Sequence, residues 1–290
     1  MTGPRRRSLR SLARRAAGNA SVATSGAFLI AITIIAIAAP LIAPYDPYAH
    51  DLSRRLLPPI FFEGHDAAHL LGTDPFGRDY LSRLIYGAQI SLVIGASVML
   101  ISGLIGTTLG LLAGYYGGRI DQVIMFVVNT RLALPIFLVA MSVVVVFGTS
   151  IIGTILTISL FLWDRFAVVV RSATQQAVSR DYVMAARSIG CSNGYILLGE
   201  ILPNLVNAVI VIGTIEMAYA ILIEAALSFL GFGIQEPTPS WGLMLAQARQ
   251  YLFFESWLLY IPGAALFFLV LAINLFGDGL RDLLAAGDRA

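Results

Sequence analysis

Residues Ser179 to Asn204 read SRDYVMAARSIGCSNGYILLGEILPN, a long polar-flanked insert in a chain that is otherwise mostly apolar. Ser179 is suited to cap a short helix, and Ala185 and Ala186 leave a smooth face at its middle. Gly190 supplies a stop with φ > 0, a conformation that a residue with a Cβ tolerates poorly. A second short helix is expected from Ser192 toward Leu202, where Pro203 opposes simple continuation and suits the first turn of the next helix. The pattern predicts a compact helical elbow between two apolar spans.

The surroundings of this elbow are those of an integral membrane protein. Mean hydropathy is +0.81, with 58% apolar and 12% charged residues in 290, far from a soluble globular composition. Every basic residue is Arg and there is no Lys. A phosphate-cradling loop that ends in Lys before Ser or Thr is therefore excluded, and ATP hydrolysis by that chemistry belongs to a partner. One cysteine, Cys191, excludes an internal disulfide.

Arg5, Arg6, Arg7, Arg10, Arg14 and Arg15 precede a charge-free run from Ala16 to Tyr45. The pattern reads as a tail followed by a first span, with anionic lipid headgroups, not nucleic acid, as the partner of the basic residues. The run is long for a cleaved signal, and further spans follow. Pro40, Pro44 and Pro47 end it, and a polar segment extends to about Tyr86. His65 and His69 lie four apart there, but no third metal ligand is indicated. Asp74 with Pro75 is expected to start a short helix, and Asp79 with Arg83 to form an i, i+4 pair.

Gly106, Gly110 and Gly114 recur every fourth residue in the next apolar run, a spacing that lets two helix backbones approach closely. A third span is expected from Gln122 to Phe147, with Arg131 at its cytoplasmic end and Asn129 offering it no charge. A fourth begins at Gly148 to Ser150 and includes Asp164 and Arg165, which as sequence neighbours do not face each other. Arg171 lies roughly on the face of Asp164, and a charged cytoplasmic end of a helix that continues into the elbow is the plainer reading. A fifth, Val206 to Leu230, holds Glu216 and Glu224; eight residues apart, they lie about 80° apart around a helix and can share an interior face. Both are candidates for a translocation path, where a carboxylate would attract an amino group; interhelical hydrogen bonding is the plainer role. A sixth span runs from Trp257 to Phe276, with Gly277 and Gly279 as terminators.

Domain organisation follows: a cytoplasmic tail at 1–25, a first transmembrane helix at 26–44, and an extracytoplasmic segment at 45–86. A five-helix core at 87–284 contains the loop 179–204, and a cytoplasmic tail occupies 285–290. With six spans and the N-terminus inside, arginines concentrate in inner segments, which places both termini and the elbow in the cytoplasm of a multi-pass cell-membrane protein. An intramembrane enzyme finds no support: all three histidines lie in one outer segment, no His-Glu-x-x-His occurs, and no serine has a credible base.

The elbow resembles the signature of ABC-importer permeases, a Glu-Ala-Ala, then Gly, then Leu-Pro after a fixed gap. The matching residues are Ala185, Ala186, Gly190, Leu202 and Pro203, with Met184 standing at the Glu position. The stretch LLGTDPFGRDYLSRLIYGAQISL, EAALSFLGFG with QEPTPSWGLML, and NLFGDGLRD closely resemble dipeptide and oligopeptide importer permeases, specifically the C-type subunit. That resemblance spans Ala39 to Asp282 and implies the ABC type I importer permease fold, all-α with six transmembrane helices and a cytoplasmic coupling helix. It implies docking of Tyr182, Ala185, Ala186, Arg187, Gly190, Leu202 and Pro203 on the ATPase. It also implies a homologous B-type permease, one or two ABC ATPase subunits holding ATP and Mg, and an extracytoplasmic solute-binding protein; no cofactor is expected in this chain. The function implied is ATP-driven import of di- or oligopeptides or related solutes. An ion-gradient-driven secondary transporter is the alternative, though no internal repeat is evident.

Overall fold

The computed structural model describes residues 20–288, with side chains of 145–147 and 285–288 left aside; most of the predicted N-terminal tail and the last two residues lie outside it. The described chain is helical, without a strand, its one β-bridge joining Thr73 and Asp79. Five helices are long and apolar enough to cross a membrane, and six spans result when one bent pair counts as a single span. The first, α1 (Ala20–Ile37), is followed by the Pro40-containing turn α2 (Ala39–Ile42). After the segment 43–79 come α3 (Tyr80–Tyr116), α4 (Gly118–Leu132), α5 (Ile136–Phe147) and α6 (Ile151–Val178). The elbow contributes α7 (Asp181–Ser188) and α8 (Asn193–Tyr195) and leads into α9 (Leu202–Phe229); α10 (Trp241–Ala248) and α11 (Trp257–Asp288) complete the chain.

The α3–α6 pair is the spine of this bundle, and the four-residue glycine repeat is its cause. A Cβ on Gly110 would stand 2.7 Å from the Ala167 carbonyl oxygen and 2.9 Å from Val170 Cβ; on Gly114 it would stand 2.6 Å from Thr174 Cβ. A Cβ on Gly106 would collide with the Trp163 carbonyl. Among lipid chains the hydrophobic effect gives helices no reason to associate, so close backbone packing must supply the attraction.

Three expected boundaries differ. The third span is broken: α4 and α5 meet at 83° across residues 133–135, because Pro135 lacks an amide proton and sits as the N-cap of α5. Gly277 and Gly279 do not terminate the last helix but lie inside α11, the first facing Thr214 of α9 and the second facing Val22 of α1. Like the α3 glycines, they serve close packing. Pro203 does lie in the first turn of α9, as expected, but it does not separate that helix from the elbow. A π-helical turn over Ile196–Ile201 runs directly into α9, and Asn204 Nδ2 donates to the Glu200 carbonyl at 2.6 Å. The wider turn accommodates the missing proline donor without breaking the rod.

The polar segment 43–79 folds onto one end of the bundle, held by ionic contacts. Asp74 does not cap a helix; its Oδ1 accepts from the amides of Phe76 (2.8 Å) and Arg78 (3.0 Å), an Asx turn. The helix begins instead after Asp79, which accepts from the Ser82 amide at 2.7 Å. Asp79 therefore serves as cap and pairs with His69 (2.9 Å), not Arg83. Arg83, fully buried, turns to Asp74 (3.4 Å) and Glu236 (3.7 Å). Buried Arg78 bonds Asp74 through Nε at 2.6 Å and clasps Glu236 at 2.7 and 2.9 Å. This latch ties the 43–79 segment to the loop between α9 and α10. Trp241 Nε1 adds a bond to the Leu84 carbonyl, 2.8 Å, and Tyr80 Oη one to the Leu258 carbonyl, 2.5 Å.

Two measurements test this account. Gly110→Leu forces α3 from α6 at a cost of about 1–3 kcal/mol or more, so the purified protein should unfold at a clearly lower temperature in detergent. Partial burial alone would raise the Glu236 pKa, but hydrogen bonds from Arg78 and the Arg83 charge outweigh it and hold the carboxyl below its ordinary 4.5. The latch is thus fully present above that value and is lost as pH falls through the lower, folded-state pKa. Glu236→Gln should lower stability near neutrality and flatten the acid limb of the melting profile.

Candidate functional site

Two sites emerge, an elbow at one end of the bundle and a charged cluster at its middle. In the elbow, α7 starts after Arg180, whereas Ser179 closes α6 by donating to the Gln176 carbonyl at 3.0 Å. It ends in a Schellman motif: Gly190 has φ 81°, its amide bonds the Arg187 carbonyl, and the Cys191 amide bonds the Ala186 carbonyl, each at 3.0 Å. Ser192 then caps α8, accepting from the Tyr195 amide at 3.3 Å.

One face of the elbow is part of the core. Val183 and Ala186 pack with Ile196, Leu197 and Ile201 against Leu111 of α3 and Val170 of α6. Tyr115 at the end of α3 donates to Asn193 Oδ1 at 2.8 Å and lies under the Arg187 guanidinium, 5.0 Å from ring centroid to Cζ. Arg171 pairs with Asp121 of α4 close by. The opposite face is open and apolar: Ala185 is exposed, as are Met184 (50%) and Ile189 (80%). Of the predicted residues, then, Ala186 belongs to the base of the elbow and Ala185 to its outer face. Tyr182 and Leu202 are half-buried beside the core, while Arg187, Gly190 and Pro203 are exposed. Ile189 and Met184 were missed as outer-face residues, although an exposed apolar pair beside a polar turn is the signal that marks them.

At mid-bundle the bend between α4 and α5 brings Arg131 onto Asp164 of α6, at 2.8 Å, with Asp164 only 1% exposed. Arg131 therefore does not reach toward an aqueous end, and its partner comes from another helix, not from position 129. Its neighbour in the cluster, Arg165, bonds fully buried Glu216 of α9 at 3.3 Å and lies 4.3 Å over the Tyr219 ring. Sequence neighbours thus pair in opposite directions, as helix geometry requires. Glu224 is also fully buried, accepting from Ser228 (2.7 Å) and Ser240 (3.2 Å). Neither Glu216 nor Glu224 presents its carboxylate to open space. Arg165, with 41% of its side chain exposed, is the member of the cluster that does reach open space. Among the described residues, no group of three or more His, Cys, Asp or Glu is placed to hold a metal ion.

Residues 106–287 match the family model described as the binding-protein-dependent transport system inner membrane component. The chain belongs to that family of ABC-importer permeases. Residues 9–59 also match the N-terminal transmembrane domain of oligopeptide transport permease C, so this permease is a C-type subunit. It is 44% identical over 257 residues to the di/tripeptide transport system permease protein DppC of Pseudomonas aeruginosa, covering 89% of this chain and 85% of that one. It is 39% identical over 260 residues to the glutathione transport system permease protein GsiD of Pectobacterium atrosepticum, covering 90% and 85%. An inward-facing methionine ABC transporter, MetNI, superimposes with a TM-score of 0.57 at 17% identity, over 69% of this chain and 96% of that one; it supports the fold. This permease is a multi-pass inner-membrane subunit that works with ATPase subunits, a second permease and a binding protein, and is not itself an enzyme. The ion-gradient alternative is not favoured.

The mid-bundle pairing predicts a double-mutant cycle. Asp164→Leu strands Arg131 among apolar groups and should destabilise the purified permease by about 3–5 kcal/mol. Arg131→Met with Asp164→Leu should recover most of that loss in a detergent unfolding assay.

Proposed function

We propose that this permease imports di- or oligopeptides, or closely related solutes, by pairing with a homologous B-type permease and receiving substrate from an extracytoplasmic binding protein. The relatives' printed substrates, di/tripeptides and glutathione, support the solute class. ATP and Mg are held by one or two ATPase subunits in the cytoplasm, where the arginine distribution directs the elbow and both termini. Residues 1–25, 26–44, 45–86, 87–284 and 285–290 take the roles of tail, first span, outer segment, core and second tail.

The observation that carries the coupling role is the two-sided elbow. Its base is packed among α3, α6 and α9, and its outer face offers Ala185, Met184 and Ile189 as a firm apolar surface. Closure of the ATPases must move the spans, and an element buried on one side and docked on the other acts as a lever. Ala186 and Gly190 set the seating and the exit angle of that lever; Tyr182, Arg187, Leu202 and Pro203 lie along it. Met184 in place of an acid indicates that docking here is apolar. Glu216 and Glu224, expected as candidates for facing the translocation path, instead take the plainer role of interhelical hydrogen bonding and pairing, with only Glu216 touching a half-exposed residue, Arg165.

Ile189→Asp, with Ala185→Trp as a second variant, should leave the permease pair assembled but cut substrate-stimulated ATPase activity and uptake about tenfold or more, in keeping with hot-spot losses at a buried contact. Normal coupling in both variants would overturn the elbow role. Mass spectrometry of the gently extracted, affinity-tagged permease should recover a second permease and ATPase subunits; a permease that purifies alone and transports without ATP would overturn the importer reading.

A further inference from the structure

The outward-facing side chains of this permease are apolar along most of the bundle: Ile30, Ile34 and Ile37 on α1, Leu100 and Leu104 on α3, Phe267 on α11. One face departs from this. On α6 the exposed apolar residues Ile152, Leu156 and Leu160 lie on one side, whereas half-exposed Arg165 and exposed Ser172 and Gln176, with Val168 beside them, lie on roughly the opposite side. At about 100° per residue, Arg165, Ser172 and Gln176 share one side of α6. A groove of about 490 Å³ lies beside them, walled by Val169 of α6, by Asn204, Asn207 and Ile215 of α9 and by Arg281 of α11. Val169 is one turn from Arg165 on the same side of α6, so the groove runs from near Asn204, at the elbow end of α9, toward Arg165.

A half-exposed guanidinium at this depth cannot face lipid chains without a large cost, so this face borders water, a partner or a solute. The guanidinium is pre-set for an anion. Glu216 takes one Nη1 hydrogen and the Tyr219 ring supports its face; among the described residues no acceptor takes the Nε or Nη2 hydrogens. Glu216 has no contact with solvent, so it holds the arginine while leaving the incoming side open. A planar fork with two free donors matches a carboxylate.

We propose that Arg165 receives the C-terminal carboxylate of the transported peptide midway along the path, with Glu216 as the residue that positions it. This rests on the peptide reading above. Sharing the guanidinium between Glu216 and the peptide carboxylate keeps Arg165 paired before, during and after passage, and the peptide's own ammonium group offsets the charge that its carboxylate brings. The carboxamides of Asn204 and Asn207 in the groove wall then offer the onward route groups that hydrogen-bond a peptide backbone, with Arg281 a second cation along it.

The test uses the complete importer, both permeases, its ATPases and its own binding protein, reconstituted in vesicles with ATP on the ATPase side. Initial uptake of trialanine is compared with that of trialanine amide in the wild type, Arg165→Gln and Arg165→Lys. Selection by the binding protein is common to all three, so a change in the acid-to-amide ratio reports on the permease alone. The expected result is a wild-type ratio above one that falls about tenfold in Arg165→Gln, and falls less in Arg165→Lys, which keeps the charge but not the fork. A wild-type ratio of one, or a ratio unchanged in the variants while both peptides slow equally, overturns the carboxylate role and leaves the peptide reading standing. Should Arg165→Gln fail to assemble, Arg165→Lys decides by the same comparison. Uptake of neither peptide by the wild type overturns the peptide reading itself, before any variant is compared.

Discussion

Everything else in this permease is hung on the near contact of two backbones, α3 against α6, made possible where Gly106, Gly110 and Gly114 meet the Trp163 to Thr174 stretch. In lipid there is no solvent to squeeze apolar faces together, so the helix pair is held by what can be gained at short range. That closeness has two downstream effects. It places Asp164 and Arg165 at the middle of the bundle, where α4 and α9 can supply their counter-charges. It also fixes the end of α6 beside the end of α3, which is the platform on which the elbow sits.

The charged cluster and the elbow are therefore two loads on one beam. Arg131 with Asp164 and Arg165 with Glu216 tie α4 and α9 to α6, and the elbow continues into α9 without interruption through a π turn. In the proposed coupling role, a push on Ala185, Met184 and Ile189 would pass through the packed base of the elbow to the rod that begins at Asn193 and continues as α9, which carries Glu216. On the proposed reading, coupling and path would share α9, whose Glu216 is paired with Arg165 of α6.

The other end is organised differently. There, Arg78 and Arg83 converge with Asp74 and Glu236, joining segments more than a hundred residues apart in sequence. Two guanidiniums lie fully buried beside one buried and one partly exposed carboxylate. Such an arrangement holds only while both acids remain ionised, and it gives the loops at that end of the bundle a defined shape where a loop-rich surface would otherwise be loose.

Residue order alone determined the membrane class, the number of apolar runs, the elbow between Ser179 and Asn204, the glycine seam and the ABC-importer family, because each is written in local composition, short spacing or motif. Hydropathy has no direction in space, however, and partners distant in the chain leave no local trace. Only the tertiary structure decided that Arg131 answers Asp164, that Arg83 turns from Asp79 to Asp74 and Glu236, and that Pro203 lies within a continuous rod. It decided too that Ala186 faces inward while Ala185 faces out, and that Arg165 reaches open space while Glu216 and Glu224 do not. In each case the outcome depends on which helix stands opposite, and that is fixed by three-dimensional packing at the glycine seam.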